Sequence, residues 1–158
     1  MKHPGLAVLI LTAGCGYSAG SLYDPAIRSV AVDVFRNETF RRDLELALTG
    51  KVVQQIRLRT PWRIANRGEA DAFLTGRIVD VHEILLSKTP SDLNSESSVA
   101  VTVEAELVER GTGRVLRSVR RMSSEAFLLP RGESVTTALD RSLTDLAEDI
   151  VQGLEDWR

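Results

Sequence analysis

VAVTVEAEL, residues 99–107, carries the clearest structural signal in this chain. Apolar side chains occur at every second position of the segment, starting with its first residue. The positions between them carry polar side chains at Thr102, Glu104 and Glu106. Because successive side chains of a strand point to opposite faces, this period of two predicts a strand with one buried face. Gly111-Thr112-Gly113 then predicts a hairpin turn into a partner strand over residues 114–127.

Similar patterns predict the elements at the two ends of the domain. Val30, Val32 and Val34 alternate with other side chains and predict a strand, after which Asn37-Glu38-Thr39 offers a helix cap. Residues 38–55 are predicted to form an amphipathic helix. Its apolar stripe comprises Phe40, Leu44, Ala47, Leu48 and Val52. A final helix is predicted after its cap, Ser134. Its stripe comprises Val135, Leu139, Leu143, Leu146, Ala147, Ile150 and Leu154.

The segments between these elements complete the predicted fold. Residues 56–64, which contain Pro61, are predicted to form a short edge strand. Residues 70–86 predict a strand whose apolar positions change parity after Ile78, which indicates a bulge or burial on both faces. Residues 88–98 are polar and predict a loop. The order β-α-β-β-β-β-α predicts an α+β fold, a two-layer sandwich in which an antiparallel or mixed sheet of about four strands is packed by two helices.

Composition limits the number of domains and the kind of partner. The chain has 158 residues with 43% hydrophobic content, which suits one compact domain. Its formal net charge of -2 lacks the excess of Lys and Arg that a nucleic-acid-binding surface usually needs. We therefore expect no nucleic-acid partner.

The first residues are predicted to be a secretory leader. Lys2 supplies a positive charge, residues 6–11 are apolar, and small residues precede Cys15, the single cysteine. The apolar run is too short to span a bilayer as a helix. Leu11-Thr12-Ala13-Gly14-Cys15 resembles the lipobox of bacterial lipoproteins, with Thr12 where the family most often has Leu. The resemblance implies cleavage before Cys15 and lipid attachment to it, and Gly16 after it implies transport to the outer membrane.

We accordingly expect residues 1–14 to be a signal peptide, residues 15–26 a lipidated tether and residues 27–158 a single domain. The lipid would anchor the protein to the membrane, at the periplasmic face of the outer membrane. The alternative is a plain secretory signal followed by an unmodified cysteine.

No catalytic or metal site is predicted. Gly16-Tyr17-Ser18-Ala19-Gly20 matches the G-x-S-x-G nucleophile pattern, but no core strand precedes Ser18 and no helix follows it. His82 lies in a predicted strand beside Asp80 and Glu83, without the spacing of a metal motif. We therefore expect neither an enzyme nor a bound cofactor.

Arginines are concentrated around the predicted hairpin. They are Arg110, Arg114, Arg117, Arg120 and Arg121. Guanidinium groups pair readily with phosphate or carboxylate, so four of these residues are candidate contacts for a ligand or partner. The four are Arg114, Arg117, Arg120 and Arg121. The alternative is a solvated hairpin face balanced by Glu104, Glu106 and Glu109 across the ladder.

Residues 29–80 carry several motifs in a fixed order. They are Val30-Ala31-Val32, then Phe35-Arg36-Asn37-Glu38-Thr39, then a helix with Leu44, Leu48 and Thr49, then Ala70-Asp71-Ala72-Phe73-Leu74-Thr75-Gly76-Arg77-Ile78. In these motifs the chain resembles the LPS-assembly lipoprotein family (LptE), which has a similar strand ending in F-x-N-x-T and a later A-D-A-x-L-x-G-x-I strand. Beyond Val81 only the order of strands, hairpin and final helix matches.

The resemblance implies a non-enzymatic protein that sits as a plug inside an outer-membrane β-barrel of the LptD type. It also implies that the protein helps the barrel assemble and handles lipopolysaccharide on its way to the cell surface. No ligand-contact residue can be carried over, because the basic positions lie where the match is weakest.

A second family shares the opening strand and the F-x-N-x-T motif. These are periplasmic lipoproteins that activate envelope synthases, and membership would make this chain a regulator of a peptidoglycan synthase. Co-purification separates the two hypotheses, since the first requires a barrel partner and the second an inner-membrane synthase.

Overall fold

The computed structural model describes residues 23–87, 96–128 and 134–155. Within these residues the chain forms six strands and two helices. The strands are β1 (Ser29–Val32), β2 (Arg36–Asn37), β3 (Arg63–Ile64), β4 (Ala72–Ser87), β5 (Glu96–Glu109) and β6 (Val115–Leu128). The helices are α1 (Leu44–Arg59) and α2 (Val135–Gln152).

All six strands join one mixed sheet. Its order is β3-β1-β4-β5-β6, and β2 pairs with β4 further along the same side as β1. The pairs β1–β3, β1–β4 and β2–β4 are parallel, whereas β4, β5 and β6 form an antiparallel meander. The predicted α+β two-layer fold is confirmed, and among the described strands only the two-residue strand β2 has no counterpart in the predicted order.

The core lies between one face of the sheet and the two helices. The alternating apolar positions of β5 are all buried, as the sequence predicts. They are Val99, Val101, Val103, Ala105 and Leu107. The stripe of α2 packs against them, with Leu143, Leu146 and Ile150 at most 2% exposed. Each fully buried Val, Leu or Ile side chain contributes about 1.5–3 kcal/mol, so this layer contributes much of the fold's stability.

Helix α2 follows the sequence prediction closely. The Ser134 hydroxyl accepts a hydrogen bond from the Thr137 backbone N–H at 3.2 Å, which is the expected cap. Val135 is half-buried and the remaining stripe residues are buried. The helix ends at Gln152, so Leu154 is buried just beyond it rather than within it.

Helix α1 differs from its prediction at both ends. It begins at Leu44 rather than residue 38, and it continues to Arg59, so residues 56–59 are helical rather than part of an edge strand. Phe40 and Ala47 are exposed, whereas Ile56 is buried beside Leu44, Leu48 and Val52. The late start has a physical cause, because the Asn37 side chain holds residues 38–41 in a turn by bonding Thr39 and the Arg41 carbonyl.

Pro61 explains where α1 stops. Thr60 has extended backbone angles (φ -116°, ψ 157°), which the residue before a proline favours. The predicted edge strand is therefore reduced to β3, which does lie at an edge of the sheet.

The long hairpin strands agree with the sequence except at their ends. The predicted irregularity in β4 is confirmed as a register shift between Ile78 and Asp80. Residues 96–98 belong to β5 rather than to the predicted loop, whose residues 88–95 lie outside the described ranges. Gly113 closes the β5–β6 turn with φ +72°, a conformation that favours glycine. The predicted single buried face of the first strand is wrong, because Ser29, Val30 and Ala31 are all buried in β1 while Val34, beyond its end, is 57% exposed.

Ordered packing begins before Ile27, the predicted start of the domain. Tyr23 is 6% exposed and its ring meets the Trp62 ring edge-on at a centroid distance of 4.8 Å. The predicted signal peptide, Cys15 and Ser18 lie outside the described residues. Among the helices of the described part, neither has the length and apolar character needed to span a bilayer.

Candidate partner-contact surface on the open face of the sheet

The two faces of the sheet differ sharply in chemistry. One face is covered by α1 and α2, and the side chains that alternate with the core positions point to the other face, called here the open face. Its middle row is charged. Arg36 on β2, Arg77 on β4, Glu104 on β5 and Arg120 on β6 are opposite one another in the register of neighbouring strands. We call these four residues the arginine–glutamate row.

Glu104 links the row. Its Oε2 accepts hydrogen bonds from Arg77 Nε at 2.9 Å and Arg77 Nη2 at 2.7 Å, and its Oε1 accepts one from Arg120 Nη1 at 2.6 Å. Arg77 Nη1 also lies 3.4 Å from Glu38 Oε1. One carboxylate thus fixes two guanidinium groups from the strands on either side.

These contacts favour the ionised forms of Glu104 and Arg77. Hydrogen bonding from Arg77 holds the pKa of Glu104 below its ordinary value, and the charges of Arg77 and Arg120 act in the same direction. The hydrogen bond with Glu104 likewise raises the pKa of Arg77. Glu104 and Arg77 therefore both carry their charges at neutral pH.

A depression of about 290 Å³ is lined by three residues of the row, Arg36, Arg77 and Glu104. Its polar lining comprises Arg36, Thr75, Arg77, Glu104, Glu106 and Ser118. Among the described residues, Arg36 has no ion-pair partner, so its guanidinium can receive an external carboxylate or phosphate. The arrangement suits recognition of a polar surface by charge and hydrogen bonding.

The four arginines predicted from the sequence do not form one cluster. Arg120 lies on the open face, in the row. Arg117 and Arg121 pair with the core positions Leu107 and Val103, and so lie on the helix-covered side of β6. Arg114 follows the turn, with its Nε 3.7 Å from Glu109 Oε2.

Arg117 and Arg121 share a local role at the edge of the sheet. Arg117 Nη1 donates to the Leu116 carbonyl at 2.8 Å, and Arg121 Nη1 donates to the Arg120 carbonyl at 3.0 Å. Strand β6 is an edge strand with one neighbour, so alternate backbone groups lack a ladder partner. Both guanidinium groups occupy carbonyls of this edge, four residues apart.

Two of the four predicted arginines, Arg114 and Arg117, border a second cavity. It has a volume of about 310 Å³ and is lined in part by Trp62, Arg114 and Arg117. The Trp62 Nε1 is buried and finds no hydrogen-bond acceptor in the part of the chain that the structure describes. The hairpin arginines therefore line two separate surfaces.

The alternative interpretation of the hairpin, charge balance across the ladder, holds for two of its three glutamates. Glu104 pairs with Arg120 and Glu109 lies near Arg114, while Glu106 faces Ser118. The fifth arginine of the group, Arg110, donates from Nε to the Ala70 carbonyl at 2.5 Å.

Sequence reasoning missed Arg77 and Arg36. Both lie inside the motifs that carry the family resemblance, which was the available signal. Arg77 bonds Glu104, and Arg36 neighbours Arg77, only because of the strand order β2-β4-β5, which the sequence does not specify.

The remaining sequence candidate, His82, is an exposed residue. Its Nδ1 lies 2.9 Å from Asp80 Oδ2 on the same strand. Within the described ranges, no three His, Cys, Asp or Glu side chains are grouped as metal ligands would be.

Comparison with known proteins gives one family match and several structural likenesses. Residues 27–154 match the family model described as LptE, lipopolysaccharide-assembly. The fold is similar to that of the PelC dodecamer from Paraburkholderia phytofirmans, with 19% identity, a TM-score of 0.55, and coverage of 85% of this chain and 94% of that chain. It is also similar to lipoprotein B from Nitrosomonas europaea, with 15% identity, a TM-score of 0.56, and coverage of 86% and 87%. At these identities the structural likenesses show the fold alone. No curated protein matches the chain.

Proposed function

The chain belongs to the lipopolysaccharide-assembly (LptE) family, since the family's model spans residues 27–154, and from that premise we propose what it does. It is an outer-membrane lipoprotein that associates with a β-barrel of the LptD type and assists lipopolysaccharide assembly at the cell surface. It does so by binding rather than by catalysis.

The observation that best supports this proposal is the arginine–glutamate row. A protein that sits inside a wet barrel needs a polar contact surface whose charges are already satisfied, because unpaired charges cost free energy when a partner displaces their water. Glu104 satisfies Arg77 and Arg120 in that way. The central charged groups of the open face can therefore approach a polar barrel wall without losing their partners.

The arginines of the row also have the chemistry to bind lipopolysaccharide. That lipid carries phosphate and carboxylate groups, which guanidinium groups bind in a bidentate manner. Of the four arginines predicted as contacts, Arg120 has the best position, because it lies in the same row as Arg77 and Arg36 and bonds Glu104. Arg114, Arg117 and Arg121 lie away from the row, so any contact they make belongs to a different part of the partner.

Affinity purification tests the partner. The tagged full-length chain is isolated from detergent-solubilised membranes, with an untagged chain as the control, and bound proteins are identified by mass spectrometry. We expect an LptD-type barrel in stoichiometric amount. An inner-membrane peptidoglycan synthase in its place would contradict the proposal and support the regulator hypothesis.

We further propose that the protein is held to the membrane by lipid on Cys15. Two or three acyl chains anchor a protein stably, at about 0.8 kcal/mol for each buried methylene. Wild-type protein should incorporate a labelled fatty acid and sediment with membranes, and Cys15→Ser should do neither. An unlabelled wild-type protein would refute lipidation and leave the barrel proposal to be judged by co-purification.

A further inference from the structure

Strand β6 forms a long open edge of the sheet. It has 14 residues, and among the described strands only β5 pairs with it. The opposite side of the sheet ends in β2 and β3, which have two residues each. Native proteins usually keep exposed edges short, because unpaired backbone groups can bond another chain. An edge of this length is therefore a candidate site for strand pairing.

Alternate residues of β6 present their backbone groups to this free side. The register with β5 is unbroken over residues 117–128. The Arg120 carbonyl accepts a hydrogen bond from Arg121 Nη1 at 3.0 Å, so it lies on the side away from β5. Because backbone direction alternates along a strand, the other even-numbered residues of 118–126 present their N–H and C=O groups on the same side.

Two half-buried charges on this edge lack a counter-charge. Arg121 and Glu125 lie on the helix-covered side of β6, opposite the buried Val103 and Val99. Within the described ranges neither side chain has an ion-pair partner, although Arg121 bonds the Arg120 carbonyl. The two are four residues apart, about 13 Å along the strand at about 3.3 Å per residue. Since a charge withdrawn from water is stabilised by an opposite charge, a partner that supplies both counter-charges would bind favourably here.

A second copy of this chain supplies both counter-charges. When two β6 edges pair antiparallel about a twofold axis, the same surface of each copy meets itself. An axis at Ser123 places Arg121 of each copy opposite Glu125 of the other, so opposite charges meet twice. This register also joins even-numbered residues to even-numbered residues, as the direction of the free backbone groups requires.

Like charges disfavour several other registers. An axis at Arg120 or Arg121 would place two arginines opposite each other, and an axis at Glu125 would place two glutamates opposite each other. Like charges that face each other directly across two strands are destabilising. An axis at either neighbour of Ser123 brings no opposite charges together. The charges of the strand therefore favour the axis at Ser123.

Met122 fits the same register. Its side chain is 64% exposed and lies on the open face, opposite Thr102. With the axis at Ser123, each Met122 lies opposite Ser124 of the other copy, and the two methionines are diagonal neighbours, within reach of long side chains. Methionine is flexible and fills irregular gaps, so it can lie across the small serine. An exposed apolar side chain would thereby become covered.

We propose that two copies of this chain pair antiparallel through β6, with Ser123 on the twofold axis, so that their sheets become continuous. Arg121 exchanges the Arg120 carbonyl for the Glu125 carboxylate of the second copy. The Arg120 carbonyl accepts instead from the Ala126 backbone N–H of the second copy, so neither group is left without a bond. The pairing does not depend on the proposed function, because no other protein takes part in it.

Disulfide trapping in the full-length protein tests the register. Residues that face each other in a non-hydrogen-bonded pair have Cα atoms about 4.5 Å apart, within the range that a disulfide bridges. Ser123→Cys should therefore give at least tenfold more disulfide-linked dimer on mild oxidation of membranes than the wild type, whose single cysteine is Cys15. Ser118→Cys is the matched control, since it is more exposed on the same strand but would lie about 33 Å from its counterpart.

Charge reversal in the Ser123→Cys background tests the ion pairs. Arg121→Glu should lower the yield of disulfide-linked dimer at least fivefold, because two carboxylates then face each other, and Glu125→Arg should do the same with two guanidinium groups. The double variant Arg121→Glu with Glu125→Arg restores the opposite charges and should recover the yield. Melting temperatures of the three variants establish that each domain is folded.

Each contrary result has a definite meaning. Equal dimer yields from Ser123→Cys and Ser118→Cys would refute the pairing, and crosslinking at Met122→Cys but not at Ser123→Cys would refute this register. A folded double variant that does not recover the yield would refute the ion pairs. Normal barrel recovery without the Ser123 crosslink would leave the proposed function standing, whereas the crosslink without barrel recovery would leave this inference standing alone.

Discussion

Gly76 shows how a single position links β4 to the chain segment before α1. A Cβ built on it would overlap the Phe35 ring and lie 2.8 Å from the Glu104 backbone carbonyl. Phe35 is 1% exposed, so its ring cannot move away without opening the core. The Gly of A-D-A-x-L-x-G-x-I and the Phe of F-x-N-x-T therefore depend on each other through direct contact.

Gly76→Ala should consequently destabilise the fold by about 1–3 kcal/mol, the usual cost of overpacking. Gly50→Ala is the matched control, because Gly50 lies in α1 with no atom near the position of its Cβ. That change should stabilise the helix by about 0.5–1 kcal/mol. Urea unfolding of both variants measures the two effects, and equal midpoints would contradict the packing described here.

Asp71, in the same motif, ties β1 to the start of β4. Its Oδ2 accepts hydrogen bonds from the Arg28 backbone N–H at 3.0 Å, the Ser29 backbone N–H at 2.9 Å and Ser29 Oγ at 2.8 Å. These bonds, that of the Ser29 side chain foremost, hold the pKa of Asp71 below its ordinary value of 3.8. A carboxylate whose pKa is lower in the folded state stabilises the fold above the ordinary value, and the contribution is lost as the pH falls through the folded pKa.

Asp71→Asn should therefore lower the melting temperature at pH 7, and the difference from the wild type should persist down to about pH 4 and shrink below it. Thermal melts between pH 7 and pH 2.5 provide the measurement. A difference that stays constant over the whole range would show that the ionised form of Asp71 has no special role.

Helices α1 and α2 show what a sequence pattern can specify about an element. In α2 the cap, the stripe and the burial all agree with one another, because Ser134 bonds its own helix and every apolar position of the stripe is buried or half-buried. In α1 the spacing places Phe40 and Ala47 on the same stripe as Leu44, yet both are exposed. Its start is set by Asn37, a residue outside the helix, through bonds to a loop whose shape the periodicity does not encode.

Leu143 tests the packing of α2. It is 2% exposed within the core layer, so Leu143→Ala should destabilise the domain by about 2–5 kcal/mol through lost contacts and the cavity left behind. Leu58→Ala removes the same atoms from an exposed position and should change stability by no more than about 0.5 kcal/mol. Similar melting temperatures for the two variants would mean that α2 does not pack on this sheet.

For the whole molecule, the sheet order determines which charges meet, and local patterns do not contain that order. The hairpin could be predicted from the sequence, and with it the pairing of Glu104 with the hairpin arginines. The approach of Arg77 to the same carboxylate depends on the pairing of β4 with β5, and the position of Arg36 next to Arg77 depends on the pairing of β2 with β4. For the same reason, arginines that are close in sequence were predicted as one group although β6 places them on two faces.

This separation allows a sharper test of the contact surface than reversing all the hairpin charges together. Arg120 lies in the row with 68% of its side chain exposed, whereas Arg117 lies on the helix-covered side of the same strand. Arg120→Glu should leave the melting temperature of the isolated domain nearly unchanged, because exposed ion pairs contribute little to stability. It should nevertheless weaken binding to the barrel or to lipopolysaccharide, since a carboxylate beside Glu104 repels the carboxylate and phosphate groups that the arginines of the row would otherwise bind.

Two other charge reversals on the hairpin are the controls. Arg114→Glu is matched in exposure at 68% and lies at the turn, outside the row, so it should bind as the wild type does. Arg117→Glu should also bind normally provided that its melting temperature shows a folded domain. If all three reversals weaken binding equally, the hairpin acts through its overall charge, and if none does, the open face is a solvated surface and the contact lies elsewhere.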